Sequence, residues 1–218
     1  MKIKKIELHI NPFKETVEFY KDTLSFTCID ENANSAVFQI GASQLVLHKS
    51  EDDSHYYHFA FNTPSNMFQK AKLWLVSRVT LLTEDSQDEI HFNTRTQAYA
   101  CYFEDPAGNI VEYIARTETS PSSSDPDFSP SHVLSISEIN LSTDRIIEYA
   151  DKMKEIGIPV RDERDISLSS ITFMGEYEDG AFILLGPLNR RWIFSHKTSI
   201  SSPVLIHTDR GLVTNMAT

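Results

Sequence analysis

Hydrophobic and polar residues alternate most clearly near residues 97–116. Two stretches, 97–103 and 110–114, are rich in β-forming residues and predict strands joined by a Pro-Gly turn at 105–109. In the second strand, a period of two places Glu112 on one face between two isoleucines. A carboxylate in such surroundings is costly to bury unless a cation, a hydrogen-bond donor or a metal pairs with it. The pattern therefore makes Glu112 a candidate functional residue.

The hydrophobic pattern of the first 117 residues repeats one order of elements, a strand, a helix and three strands. In each copy the helix begins at a proline, Pro12 or Pro64, and carries apolar residues at helical spacing. The predicted strands of the first copy are 2–9, 26–29, 36–40 and 44–48, and those of the second are 58–61, 80–82, 97–103 and 110–114.

A segment of serine, proline and aspartate then interrupts the pattern and is too polar to pack, which predicts a linker at 118–131. The linker divides the chain into regions 1–117 and 132–218. In region 132–218 the pattern predicts a third, diverged copy of the same order of elements. It consists of a strand at 133–141, a helix capped by Thr143 and ended by Gly157, and strands at 171–173, 181–185, 192–194 and 204–207.

Composition narrows the class of protein. The chain has 218 residues, 40% of them hydrophobic, with no apolar run as long as a membrane span and no signal-peptide pattern. Two cysteines make no disulfide framework, so the cytoplasm is the default location. A net charge of −11 argues against nucleic-acid binding, which needs clustered lysine and arginine.

Three motifs resemble those of the vicinal oxygen chelate superfamily, which includes glyoxalase I, bleomycin-resistance proteins and extradiol dioxygenases. They are FYKDTLSF at 19–26, HFAF at 58–61 and FEDPAGNIVE at 103–112. The resemblance implies an α+β fold of βαβββ modules whose curved sheets enclose a cup, with the two modules of 1–117 paired. In metal-dependent members, His and Glu from the first and last strands of each module bind the ion, which in this chain points to His58 and Glu112.

The first module departs from this ligand pattern. Its equivalent position falls on Lys5 or Ile6, so the other candidate ligands are His9 and His48. A site of this kind would suit iron, manganese, nickel or zinc. The alternative is that no metal binds and that His58 and Glu112 hydrogen-bond each other or Lys5. We expect His58 and Glu112 to point into one cup from neighbouring antiparallel strands.

Two functions follow from the resemblance. One is a metal-dependent lyase, isomerase or dioxygenase that acts on a small molecule, with Glu112 also serving as general base. The other is a metal-free binding protein, like the bleomycin-resistance proteins, that sequesters an antibiotic or aromatic ligand. A lone third module would expose an apolar face, which favours a homodimer. Glu138 and Asn140 could line the concave side of the third module, although a solvated strand face is more typical. Trp192 with Arg190 and Arg191 could clamp an anionic ligand, although an edge tryptophan covered by arginine stems is commoner.

Overall fold

The computed structural model describes residues 1–52 and 54–216. The first module has one helix, α1 (Phe13–Glu18), which continues as a wider helical turn. Its strands are β1 (Ile3–Ile10), β2 (Thr27–Glu31), β3 (Ser35–Ile40) and β4 (Ser43–Lys49). The predicted order of elements is confirmed for this module.

The second module begins with β5 (His58–Thr63) and α2 (Phe68–Val76), whose buried residues Phe68, Ala71 and Leu75 have the predicted helical spacing. The strands that follow are β6 (Ile90–Phe92), β7 (Ala98–Glu104) and β8 (Ile110–Arg116). The strand predicted at 80–82 is reduced to a single bridge between Leu81 and Phe103.

The third region contains one helix, α3 (Ile146–Glu155), and Gly157 follows it in the left-handed conformation predicted for a helix end. Its strands are β9 (Ser135–Ser142), β10 (Thr172–Met174), β11 (Phe182–Gly186), β12 (Val204–Thr208) and β13 (Leu212–Thr214). The predicted strand at 192–194 is wrong, because these residues lie in a loop that turns at 193–194, where Phe194 has a positive φ of 58°.

The strands form two sheets, and their order corrects the predicted pairing of modules. One sheet has the order β13-β12-β1-β4-β3-β2, and the other β10-β11-β9-β5-β8-β7-β6. The second module therefore shares its sheet with the third, through antiparallel pairing of β5 with β9, and not with the first. The first module is extended instead by β12, which pairs with β1. The strands of the third module are therefore paired within the chain, and an uncovered sheet can no longer be used as an argument for a dimer. Dimerisation stays a prediction.

The two faces of the seven-stranded sheet have different surroundings. Phe59 and Phe61 of β5 point into the main core, together with Tyr113 of β8. The opposite face carries Ala60 and Ile114, which belong to a second, smaller apolar cluster. This alternation follows from the period of two in a strand and leaves the second face free to form a cup.

The segment between β8 and β9 packs more closely than its composition predicts. Phe128 is buried, and its ring lies edge-on to Trp74 and near Tyr113. Ser120 donates a hydrogen bond to the Asn62 side chain at 2.8 Å. The division into 1–117, 118–131 and 132–218 stays a prediction, but the expectation that this segment does not pack is wrong at Phe128.

The predicted fold class is confirmed: the chain is α+β, with two curved sheets and few helices. Within the described ranges, no helix combines the length and the apolar character that crossing a membrane requires.

Candidate metal centre in the cup

A cavity of about 330 Å³ lies on the cup face of the seven-stranded sheet. Its polar lining comes from the second and third modules and includes His58, Glu112 and Glu138. One ligand atom from each of these three residues lies within 4.8 Å of the others, and all three side chains are buried. They form the single group of this kind found in the part of the chain that the structure describes.

The hydrogen bonds of His58 fix the role of each ring nitrogen. Nδ1 lies 3.0 Å from the carbonyl oxygen of Ile110, which can only accept, so Nδ1 carries the proton and donates. Nε2 then has a free lone pair, and it faces Glu112 Oε2 at 3.4 Å and Glu138 Oε2 at 3.9 Å. Burial, together with the nearby Arg190, lowers the pKa of His58 to about 4, so the ring is neutral at pH 7. A neutral imidazole held by its second nitrogen is the form that binds metals.

The two carboxylates differ in their partners. Arg116, itself buried, donates a hydrogen bond to Glu138 Oε1 and forms an ion pair with it. Burial and the neighbouring Glu138 raise the pKa of Glu112 well above its usual range. Burial also raises the pKa of Glu138, against the lowering effect of Arg116. Two carboxylates and a neutral imidazole that converge in a buried space are costly without a cation between them, so the donor set fits a divalent metal.

Strand register explains why there are three such residues. His58 lies beside Ile110 of β8, and Glu112 is two residues further along that strand. In the third module Glu138 lies beside Phe182 of β11, and the residue two further along is Leu184. The second module therefore provides both ligand positions and the third provides only the first. Leu184 lines the cavity at the fourth position, where an ion would keep open sites for substrate.

A segment at residues 187–203, here called the covering segment, lies over the cup. The Trp192 ring is 4.8 Å from the His58 ring, and Phe194 stacks on Tyr102 at 5.4 Å. Lys197 holds the segment to the turn before β8 by donating to Glu104 at 2.9 Å and to the carbonyl of Gly108 at 2.6 Å. These contacts make Trp192 and Ile193 of this segment one wall of the cavity.

The predicted site residues fall into two groups. His58 and Glu112 do face one cup, although β5 and β8 are parallel and not antiparallel as expected. His9 and His48 lie in the other sheet, on β1 and β4, where His48 is 2.7 Å from Glu7. The structure does not bring them to His58 and Glu112, because the first module is not the cup's partner.

The alternative that Lys5 pairs with Glu112 is wrong, since Lys5 is also in the other sheet and bonds Glu7 at 2.7 Å. Sequence reasoning missed the role of Glu138, which was expected to be solvated but is buried. One signal could have identified it. Glu138 lies on the first strand of its module, the position where the superfamily pattern expects a ligand and where the first module has none.

Residues 136–190, which include Glu138 and β11, match a family model described as toxoflavin-degrading enzyme. No curated protein matches the chain. Among solved structures, a putative dioxygenase from Bacillus subtilis is 16% identical with a TM-score of 0.61, and the match covers 85% of this chain and 63% of that one. A glyoxalase I variant from Zea mays is 12% identical with a TM-score of 0.53, covering 84% and 66%. The match thus spans about two thirds of each of these longer proteins. The chain has the fold of the vicinal oxygen chelate superfamily, as its motifs predicted.

Proposed function

We propose that this protein is a metal-dependent enzyme that converts a small planar molecule in the cup between the second and third modules. The observation that carries the proposal is the convergence of His58 Nε2 with oxygens of Glu112 and Glu138, all buried and within 4.8 Å of one another. His58, Glu112 and Glu138 would hold the ion. Carboxylate donors suit manganese and imidazole suits iron, so Mn²⁺ and Fe²⁺ fit this mixed set best.

A divalent ion bound there would act as a Lewis acid toward substrate oxygens. Glu112 is the carboxyl group suited to move a proton, because Glu138 is already hydrogen-bonded and ion-paired to Arg116. Burial and the neighbouring Glu138 raise the pKa of Glu112 well above its usual range, which makes it a stronger base than an ordinary carboxylate. Trp192 and Tyr102 form apolar walls that exclude water and suit a flat ligand.

The similarity of residues 136–190 to the toxoflavin-degrading model supports a degradative reaction, with lyase or isomerase chemistry as the alternative. Consumption of toxoflavin, followed by chromatography in the presence of Mn²⁺ or Fe²⁺, tests whether the similarity extends to that compound.

Elemental analysis of protein purified without chelators, together with calorimetric titration of Mn²⁺, tests the metal centre. We expect about one ion per chain, and Glu112→Gln and Glu138→Gln should each weaken retention by about tenfold or more. Glu7→Gln is the matched control, because Glu7 also contacts two histidines, His48 and His207 at 2.7 Å each, but lies in the other sheet. If the wild type binds no metal, or if Glu112→Gln binds it equally well, the enzyme proposal is wrong. The metal-free binding protein would then be the better explanation.

A further inference from the structure

The cup contains more arginine than its carboxylates require. Arg116 is paired with Glu138, and three other arginines, Arg95, Arg161 and Arg190, line the cavity. Even with Glu112, Glu138 and Asp162 all charged, these four arginines leave an excess of positive charge, and a divalent ion would add to it. A buried site with an unbalanced charge is stabilised by a ligand of opposite sign.

Two of these additional guanidinium groups retain hydrogen-bonding capacity. Arg161 is 7% exposed, and its Nε has no hydrogen-bond partner among the described residues. The nearest carboxylate oxygen to that atom belongs to Asp162, at 3.7 Å. Its Nη1 makes one long bond of 3.4 Å to the Thr96 hydroxyl. Arg190 is half-buried, and its Nη2 is likewise without a partner in the described part of the chain.

Aromatic rings fix the planes of these two groups. The Arg161 guanidinium lies over the Phe173 ring at 4.1 Å, and the Arg190 guanidinium lies over the Trp192 ring at 4.1 Å. A guanidinium that is stacked on a ring keeps its N–H edge free, and that edge matches a carboxylate with two parallel hydrogen bonds. Phe173 and Trp192 also line the cavity and give it apolar walls.

We propose that Arg161 and Arg190 form an anion subsite and that the ligand of this cup is a planar aromatic acid bound through its carboxylate. The proposal rests on the proposed function in placing the ligand in this cup, but the arginine subsite does not depend on a bound metal. A neutral analogue of the same shape should bind poorly, because it cannot accept charge-assisted hydrogen bonds from the free N–H groups of Arg161 and Arg190.

Calorimetric titration with 2-naphthoate and with the neutral 2-naphthamide tests the subsite, in EDTA and again with Mn²⁺. We expect naphthoate to bind at least about tenfold more tightly than naphthamide. The double variant Arg161→Gln, Arg190→Gln should bind the two compounds equally. Arg190→Gln alone, at the more exposed position, should reduce the preference and provides the test if the double variant does not fold.

Arg78→Gln is the matched control, since Arg78 also stacks on a tryptophan, Trp74, at 4.1 Å but is outside the cup. It should keep the preference for naphthoate. Equal binding of the two compounds by the wild type, no binding of naphthoate, or an unchanged preference in Arg190→Gln would overturn the proposal. If Glu112→Gln loses the metal but keeps the preference for naphthoate, the anion subsite is independent of the metal. If the wild type binds no metal but prefers naphthoate, the proposed metal-dependent function is wrong and the anion subsite is supported.

Discussion

Replacing Arg116 by methionine should destabilise the protein strongly, because it leaves the Glu138 carboxylate buried without its cation. Both side chains are almost fully buried, with exposures of 2% and 6%. Removing one partner of such a pair typically costs about 3–5 kcal/mol, since the remaining charge has lost water and gained nothing. We expect a decrease of this size in the free energy of unfolding at pH 8, measured by urea denaturation in EDTA.

The cost should depend on pH in a defined direction. Without Arg116 the pKa of Glu138 in the folded protein rises further, so the folded variant binds a proton that the unfolded chain has released. Stability that depends on such a proton is present at low pH and is lost as the pH rises. The difference between Arg116→Met and the wild type should therefore grow between about pH 5 and about pH 8.

Two controls separate this effect from lost packing. Combining Arg116→Met with Glu138→Gln removes both charges and should recover most of the lost stability. Lys14→Met breaks an exposed pair with Glu18 and should cost less than about 1 kcal/mol. The reasoning is refuted if Arg116→Met costs less than about 1 kcal/mol at pH 8, or if the double variant is no more stable than the single one.

Three further predictions concern other positions. The pKa of His58 is lowered from 6.5 to about 4, so between these pH values the unfolded chain binds more protons than the folded protein, and wild-type stability decreases as the pH is lowered. His58→Gln removes this titrating group, so its stability relative to the wild type should improve as the pH decreases. Urea titrations in EDTA should show the wild-type advantage shrinking by roughly 3 kcal/mol, and a constant difference would contradict this. Gly41→Ala should cost about 2 kcal/mol or more in thermal unfolding, because φ is +54° and a Cβ would lie 2.2 Å from the carbonyl oxygen of Leu134. Gly186→Ala, with no contact under 3.6 Å, should cost much less. Phe128→Ala should cost about 3 kcal/mol in the same assay, whereas an unchanged stability would mean that its burial contributes little.

Local patterns in the sequence predicted single modules well. The alternation in residues 110–114 placed Glu112 on the cup face, and the turn at 105–109 is confirmed by the hydrogen bond from Gly108 N–H to the Asp105 carbonyl. Helical spacing identified the buried face of α2. These features depend on neighbours in the sequence, which is why a period can reveal them.

The choice of partner module could not be predicted in the same way. All three modules share one order of elements, so the pattern does not state which two of them form a sheet. That choice depends on antiparallel pairing of β5 with β9, which are separated by more than 70 residues. Because the sequence pattern does not reveal this pairing, it favours a solvated face for Glu138 and predicts the cup beside the first module.

The conformation of the covering segment also could not be predicted from local sequence patterns. Trp192 and Phe194 have strand-forming side chains, but a turn with a positive φ at Phe194 directs both rings toward the sheet. Their conformation is decided by contacts with His58 and Tyr102 and not by intrinsic preference. Tertiary contacts of this kind leave no periodic signal.

The pairing of β1 with β12 has a consequence for the order of folding. Leu8 lies beside Val204, so β1 gains its second neighbour only after β12, far along the chain, has been synthesised. Contacts over such a distance form slowly, because a long loop must close before they contribute. The covering segment leads directly into β12, so the cup acquires its aromatic wall at the same late step. A chain interrupted after β11 would have a complete seven-stranded sheet, an open cup, and an unpaired edge on β1 available for aggregation.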